Sequence, residues 1–161
     1  MRRTLVVFSA LLLLTGPVDA LPFAPGFRVT TLDGRTIDSK GLIGQKVIVL
    51  RFQASYCKPC VKESAALSQV ADKYRDRGVE VIAIHVQDAT PDVRAFVEAQ
   101  KATYAVALDP RLNLGNRFGF RGTPYTIVID RKGEIAARLH GEGAVRRLPR
   151  MLEALLKQTR P

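Results

Sequence analysis

The chain has 161 residues, 47% of them hydrophobic, which is enough for one domain with a sizeable core. Its 25 lysines and arginines against 15 acidic residues give a net charge of +10, a field that favours acidic partners or peripheral contact with an anionic membrane. Nucleic acid is not expected as a partner, because neither an aromatic–basic interleaving nor a recognised nucleic-acid motif accompanies the charge. A solubilising surface is the simpler interpretation of the same charge.

The first twenty residues have the pattern of an export signal. Arg2 and Arg3 form a basic start, an apolar run covers 5–14, and small residues offer a cleavage point after it. The run is about half the ~20 residues that a membrane-spanning helix needs. We therefore expect a cleaved signal peptide over 1–20, with an uncleaved anchor as the alternative. The domain over 21–161 would then work in a periplasm or similar exported space, where disulfides persist.

From residue 27 onward the chain predicts short strands that alternate with helices. Continuous β-branched apolar runs such as 47–50 are typical of strands buried on both faces of a parallel sheet. In chain order, the first half predicts a small hairpin over 27–37 that turns at Asp33-Gly34, a loop between Gly41 and Gly44, a strand over 46–52, a helix over 61–77 ended by Gly78, and a strand over 79–86.

The second half continues the alternation and ends with a strand pair and a helix. Thr90 is the expected cap of a helix that runs to about residue 100, with Pro91 at its first position. Beyond it we expect a strand over 104–108, a turn at Asp109-Pro110, a short helix through Phe118, antiparallel strands over 125–129 and 134–139, and a final helix with a stripe of Val145, Leu148, Leu152 and Leu155 and with Pro149 in its first turns.

This order of elements, β-α-β-α-β-α-β-β-α after the hairpin, places the chain in the α/β class. It predicts a mixed central sheet with helices on both faces, right-handed crossovers and an added N-terminal β-hairpin. In such sheets reactive groups gather beyond the carboxyl ends of the strands. Cys57 follows the strand over 46–52 at that position, so we expect the functional site there.

The only two cysteines of the chain, Cys57 and Cys60, stand between a predicted strand and a predicted helix. A helix N-terminus carries partial positive charge and free amide donors, and both favour a thiolate on Cys57. Cys60 lies one turn along, close enough to form or resolve a disulfide. Pro59 suits a first helical turn, where its missing N–H costs nothing. This strand–helix context favours a redox-active pair.

Other uses of the cysteine pair stay open at this point. A structural disulfide is disfavoured, because so small a loop removes little entropy from the unfolded chain. A closed zinc site needs four ligands, and the chain offers only His85 and His140 besides, far apart in sequence. A copper site, or a module that delivers copper or zinc on the two thiols, is a further alternative. We predict neither a resident metal nor another cofactor.

The chain resembles the thioredoxin superfamily in two segments, residues 46–63 (KVIVLRFQASYCKPCVKE) and 109–133 (DPRLNLGNRFGFRGTPYTIVIDRKG). With the export signal, it resembles the exported thioredoxins of the TlpA/ResA type, which implies a thioredoxin-like fold. The resemblance also implies a cis peptide between Thr123 and Pro124 that faces the cysteines and binds an extended cysteine peptide of the partner, strand-fashion. An ordinary trans turn proline is the alternative.

Glu63 matches an acidic residue that TlpA/ResA-type proteins carry three positions after the second cysteine. The resemblance therefore implies a catalytic role for Glu63. Independently, the i+3 spacing places it on the same side of the helix as Cys60, where it can take the thiol proton or raise the pKa of the thiol. A solvated glutamate near the positive helix end is the alternative.

Some positions depart from the family pattern. Tyr56 stands where the family usually has Trp and keeps an aromatic side chain for substrate contact, whereas Gln53 replaces a common aromatic. Arg51 takes the place of a buried Asp or Asn, and it either pairs with Glu63 or extends to a strand edge. A cation near the cysteines favours the thiolate and the reduced form, so Arg51 is predicted to tune the redox potential, together with Lys58 and Pro59.

These features predict a periplasmic thiol–disulfide oxidoreductase that reduces exported proteins. Cys57 attacks a partner disulfide, Cys60 resolves the mixed disulfide, and a membrane thiol-reductase, implied by the family, resets the pair. Run backwards, the same chemistry oxidises exported thiols. Cytochrome c maturation is a weaker candidate, because Tyr125 stands where that subgroup tends to have Glu. A peroxidase is disfavoured, because peroxiredoxins place Thr three residues before the reactive cysteine and this chain has Ala54 there.

Overall fold

A five-stranded mixed sheet forms the centre of the computed structural model, which describes residues 22–158. The middle strand, β3 (Val47–Gln53), is buried at every residue and pairs in parallel with one neighbour and antiparallel with the other. The predicted signal peptide lies outside the described residues. In spatial order the strands are β5 (Ala105–Asp109), β4 (Val79–Val86), β3 (Val47–Gln53), β6 (Tyr125–Ile129) and β7 (Ile135–His140).

Helices pack on both faces of this sheet, as the predicted mixed α/β fold requires. Side chains alternate between the faces of a strand, so each strand supplies two cores. Val47 and Val49 of β3 face one core, whereas Ile48 and Leu50 face the other. The first core is covered by α2 (Lys58–Tyr74), α3 (Thr90–Gln100) and α5 (Ala144–Gln158), and the second by α1 (Ser39–Leu42), α4 (Asn113–Arg117) and the N-terminal hairpin.

The predicted N-terminal hairpin is confirmed as a separate two-stranded sheet. It consists of β1 (Arg28–Thr30) and β2 (Thr36–Asp38), which pair antiparallel. The short helix α1 follows directly and includes Gly41 and Leu42, the start of the segment that the sequence predicted as a loop. The side chain of Asp38 caps this helix by accepting the backbone N–H of Lys40 at 2.9 Å. A four-residue helix that contains a glycine has too little periodicity to be found from the sequence.

The structure corrects two predicted helix starts. The helix α2 begins at Lys58 rather than at residue 61, because Cys57 itself is its cap. The cap of α3 is Ala89 rather than Thr90, and the carbonyl of Ala89 accepts the N–H of Val93 at 3.1 Å. Thr90 is therefore the first helical residue, and its predicted capping role is wrong.

The final helix α5 lies where its hydrophobic stripe placed it. Val145, Leu148 and Leu152 are buried, and Pro149 lies inside the helix. The hydroxyl of Tyr74 on α2 donates to Oε1 of Glu153 on α5 at 3.0 Å, which links the two helices. Among the helices of residues 22–158, none combines the length and the apolar character needed to cross a membrane.

Candidate active site

The cysteine pair stands at the start of α2, just beyond the carboxyl end of β3. A turn leads into it, in which the N–H of Cys57 donates to the carbonyl of Ala54 at 3.1 Å. The sulfur of Cys57 accepts the N–H of Cys60 at 3.3 Å, so this sulfur is the side-chain cap of the helix. Pro59 lies in the first turn and has no N–H to offer. The predicted placement of the cysteines at a helix N-terminus is confirmed.

The two sulfurs are joined in a disulfide. The Cα atoms of Cys57 and Cys60 are 5.2 Å apart. Cys57 is 7% exposed and Cys60 is 1% exposed, so an incoming sulfur reaches Cys57 more easily. Tyr56, immediately before the pair, is 65% exposed, and Lys58 between the cysteines is also exposed. An aromatic ring and a cation therefore border the disulfide on the protein surface.

The peptide bond between Thr123 and Pro124 is cis, as the resemblance predicted. β6 starts immediately after it, and Tyr125 pairs with Phe52 in the antiparallel register. Pro124 thus stands one position further along, level with the last residue of β3. The carbonyl of Pro124 accepts the N–H of Gly141 at 2.9 Å. This places Pro124 at the same end of the central strands as the turn that leads to Cys57.

The buried arginine has the partner that the sequence suggested. Nη2 of Arg51 lies 2.6 Å from Oε2 of Glu63, and the Arg51 side chain is 1% exposed. Because β3 is the middle strand, the alternative in which Arg51 extends to a strand edge is wrong. Glu63 is also buried, so the alternative of a solvated glutamate is wrong as well.

Two further hydrogen bonds hold this ion pair in place. Nη1 of Arg51 donates to the hydroxyl of Thr126 at 3.0 Å. Oε1 of Glu63 accepts the backbone N–H of Gly143 at 2.7 Å. Both carboxylate oxygens of Glu63 are thus occupied, one turn along α2 from Cys60. A buried charge without such partners would cost on the order of several kcal/mol in desolvation free energy.

A buried polar network beside the cysteines was missed from the sequence. Nε2 of Gln53 lies 2.9 Å from Nε2 of His85, and Nδ1 of His85 lies 2.8 Å from Oδ2 of Asp88. Asp88 in turn accepts the N–H of Ser55 at 2.6 Å and its hydroxyl at 2.7 Å. The available signal was the pair of polar residues, Gln53 at the end of β3 and His85 one residue before the end of β4, which lie opposite each other in the register.

A buried polar contact also lies on α2, beyond the second cysteine. The hydroxyls of Ser64 on α2 and Tyr104 lie 2.8 Å apart. Ser64 is one helical turn beyond Cys60 and fully buried. The described residues contain no cluster of three or more His, Cys, Asp or Glu side chains that could hold a metal ion.

We expect the free energy of unfolding to fall as the pH drops below 6.5, the ordinary pKa of histidine. Burial lowers the pKa of His85, although the hydrogen bond and charge of Asp88 oppose this. Between the lowered pKa and 6.5 the unfolded chain binds a proton that the folded protein does not bind. The stability present above pH 6.5 is therefore lost progressively on acidification.

Urea unfolding at pH 7.5 and pH 5.5 tests this expectation. His85→Asn, which keeps a hydrogen-bond donor but does not titrate, should lose less stability on acidification than the wild type. The exposed His140 supplies the control, since His140→Asn should behave as the wild type does. An equal loss in the wild type and His85→Asn would contradict a role for His85.

The site and sheet together define a class of protein: a thiol–disulfide oxidoreductase of the thioredoxin-like fold. A sequence comparison then gives the family. The chain belongs to the AhpC/TSA family, whose pattern matches residues 22–138.

Individual relatives agree with this class. The chain is 33% identical over 138 residues to the thiol-disulfide oxidoreductase ResA of Bacillus thuringiensis, which covers 86% of this chain and 77% of the relative. It is 30% identical over 134 residues to ResA of Halalkalibacterium halodurans, with 83% and 75% covered. A thiol:disulfide interchange protein of the thioredoxin family from Chlorobium tepidum superposes with a TM-score of 0.77 at 27% identity, covering 84% of this chain and 97% of that one. The predicted thioredoxin-like fold and enzyme class are confirmed.

Proposed function

We propose that the chain reduces disulfides of exported proteins, with Cys57 as the nucleophile and Cys60 as the resolving thiol. The observation that carries this proposal is the position of the Cys57 sulfur. It caps α2, accepts the N–H of Cys60, and belongs to the more exposed residue of the pair. A helix N-terminus stabilises a thiolate there, and the thiolate is the attacking species.

The reaction starts from the reduced pair. The Cys57 thiolate attacks one sulfur of the partner disulfide, a mixed disulfide forms, and the other partner sulfur leaves as a thiolate that takes up a proton. Cys60 then loses its proton and attacks the Cys57 sulfur, which releases the second partner thiol. Two electrons pass to the partner, and the Cys57–Cys60 disulfide remains. A membrane thiol-reductase would return two electrons and two protons to this disulfide.

Glu63 is proposed to help Cys60 lose its proton. Its carboxylate is buried one turn along α2 from Cys60 and is fixed by Arg51 and by the N–H of Gly143. An anion held there also disfavours a second negative charge on Cys60. We propose that the charge of Glu63 keeps the Cys60 thiol protonated before the reaction. During resolution, when Cys60 attacks the mixed disulfide, the carboxylate of Glu63 accepts the thiol proton.

The partner segment is proposed to bind in extended form beside the cysteines. Thr123 and Pro124 directly precede β6, at the end of the central strands where Cys57 follows β3. The exposed ring of Tyr56 supplies an apolar contact next to the reacting sulfur. The net charge of +10 favours partners with acidic residues near their cysteines, and it also favours peripheral contact with an anionic membrane.

The reducing direction and the exported location are parts of the proposal. Pairing of Arg51 with Glu63 offsets the cation that would otherwise stabilise the reduced form, which keeps the couple reducing. The basic and apolar pattern of residues 1–20 supports export, and with it a periplasmic location.

We expect a reduction potential near or below ~−270 mV for the Cys57–Cys60 couple, the range of reducing thioredoxins. Equilibration with dithiothreitol buffers, read out by alkylation and mass spectrometry, measures it. Lys58→Ala should lower the potential further, because it removes a cation that favours the thiolate. Lys132→Ala, at an exposed turn, is the control and should leave it unchanged. A wild-type value near ~−120 mV would contradict the reducing direction and identify an oxidant of exported thiols.

A further inference from the structure

We propose that Asp88 is a positioning residue for Cys57, and that His85 and Gln53 hold Asp88 in place for this purpose. The inference rests on the assignment of Cys57 as the nucleophile. It concerns residues outside the cysteine motif, in β3, in β4 and in the segment between β4 and α3. These residues belong neither to the cysteine pair nor to the Arg51–Glu63 ion pair.

Asp88 holds the turn that leads to Cys57. Its Oδ2 accepts the backbone N–H of Ser55 at 2.6 Å, and its Oδ1 accepts the hydroxyl of Ser55 at 2.7 Å. Ser55 stands two residues before Cys57. On the other side of the turn, the N–H of Cys57 donates to the carbonyl of Ala54. The carboxylate therefore fixes the turn to the sheet through two charge-assisted hydrogen bonds.

The proton arrangement around His85 is fixed by its two partners. An ionised carboxylate can only accept hydrogen bonds, so Nδ1 of His85 donates to Asp88 at 2.8 Å. In the neutral ring Nε2 is then an acceptor, and it faces the amide nitrogen of Gln53, a donor, at 2.9 Å. Burial lowers the pKa of His85 and so favours the neutral ring of this arrangement. The edge-on ring of Phe96 covers the imidazole.

The backbone before Asp88 is unusual and supports the same role. Gln87 has φ of 52°, in the left-handed region that side chains with a Cβ rarely adopt. Gln87 and Ala89 are exposed, whereas Asp88 between them is buried. A strained residue persists where surrounding contacts hold it, and such residues cluster at functional sites. Here the strained residue directly precedes Asp88, whose side chain is hydrogen-bonded to Ser55.

Positioning and charge predict opposite effects on the pKa of Cys57. If Asp88 acted on Cys57 only through its negative charge, its neutralisation would lower the pKa of the thiol. If Asp88 holds the turn, its loss loosens the sulfur from the N–H of Cys60 and from the helix start, which raises the pKa. The sign of the shift therefore separates the two roles, and a merely structural role leaves the pKa unchanged.

The test is Asp88→Asn in the full-length protein, reduced and then alkylated with iodoacetamide across pH 4 to 10. We expect the apparent pKa of Cys57 to rise and the rate of insulin disulfide reduction at pH 7 to fall about tenfold, as small misplacements of a reacting group do. The matched control is Asp109→Asn, another buried aspartate, which accepts the N–H of Gly115 at 2.7 Å. It should leave both readouts unchanged.

A lowered or unchanged pKa of Cys57 in Asp88→Asn would overturn the proposal. If that variant does not fold, Ser55→Ala takes its place, with Ser68→Ala as control, and an unchanged rate in Ser55→Ala also overturns it. His85→Asn keeps a donor toward Asp88 and should retain most activity, whereas His85→Leu should not. Mass spectrometry of the alkylated wild type first identifies the reactive cysteine: modification of Cys60 would refute the nucleophile assignment instead.

Discussion

Replacing Cys57 by serine is expected to reduce disulfide exchange by about 1,000-fold or more. A serine hydroxyl is not ionised at neutral pH and cannot form a disulfide, so neither the attack nor the mixed disulfide is possible. The turbidity assay of insulin reduction by dithiothreitol measures the loss. The helix should persist, because a serine at the cap position still accepts an N–H from the first turn of α2.

Cys60→Ser is the matched variant for this experiment. It keeps the more exposed Cys57 but removes the resolving thiol, so it should also lose turnover while accumulating mixed disulfides with protein partners. Non-reducing gels of the variant incubated with an extract of oxidised exported proteins would show these species. Wild-type turnover in Cys57→Ser, or an absence of trapped species in Cys60→Ser, would contradict the assigned roles.

Arg51→Leu is expected to lower the free energy of unfolding by about 3–5 kcal/mol, because it leaves the buried carboxylate of Glu63 without its partner. The double variant Arg51→Leu/Glu63→Leu should recover most of this loss, since a buried ion pair can be replaced by apolar side chains at little cost. Urea unfolding of the three proteins measures both effects. In Arg51→Leu the unpaired carboxylate should also raise the pKa of the cysteine thiolates, seen as slower alkylation near pH 7.

An exposed ion pair of equal length supplies the control. Arg77 and Glu153 also lie 2.6 Å apart, but both side chains are partly exposed. Arg77→Leu should therefore cost no more than about 1 kcal/mol. A similarly small loss in Arg51→Leu, or a double variant as unstable as the single one, would contradict the explanation by an unpaired buried carboxylate.

Local patterns were sufficient for most of the fold and for the two cysteines. The apolar runs of the strands and the apolar stripe of α5 extend over several residues, because burial selects apolar side chains at each of these positions. They therefore predicted these strands and this helix correctly. The Arg51–Glu63 pair was predictable, because a buried cation requires a carboxylate and few candidates lie near it in sequence. The short helix α1 and the cap at Ala89 depend on single hydrogen bonds, which leave no periodic signal.

The network of Gln53, His85 and Asp88 shows what sequence patterns do not contain. Its members stand on different elements, and their side chains meet only because β3 and β4 pair in one particular register. In the sequence, His85 entered only the argument against a zinc site, and Gln53 was noted only as the replacement of a common aromatic. The register joins Gln53 to His85, and Asp88, which follows the left-handed residue Gln87, accepts the N–H of Ser55.

The ion pair beside the cysteines joins distant parts of the chain. Arg51 and Thr126 are 75 residues apart, and Glu63 and Gly143 are 80 residues apart. Both cysteines are synthesised long before Thr126 and Gly143. The two hydrogen bonds that fix the ion pair are therefore absent from a growing chain until β6 and the segment before α5 have docked. The influence of this ion pair on the cysteines thus depends on the completed sheet, whereas the position of Cys57 at the start of α2 is set locally.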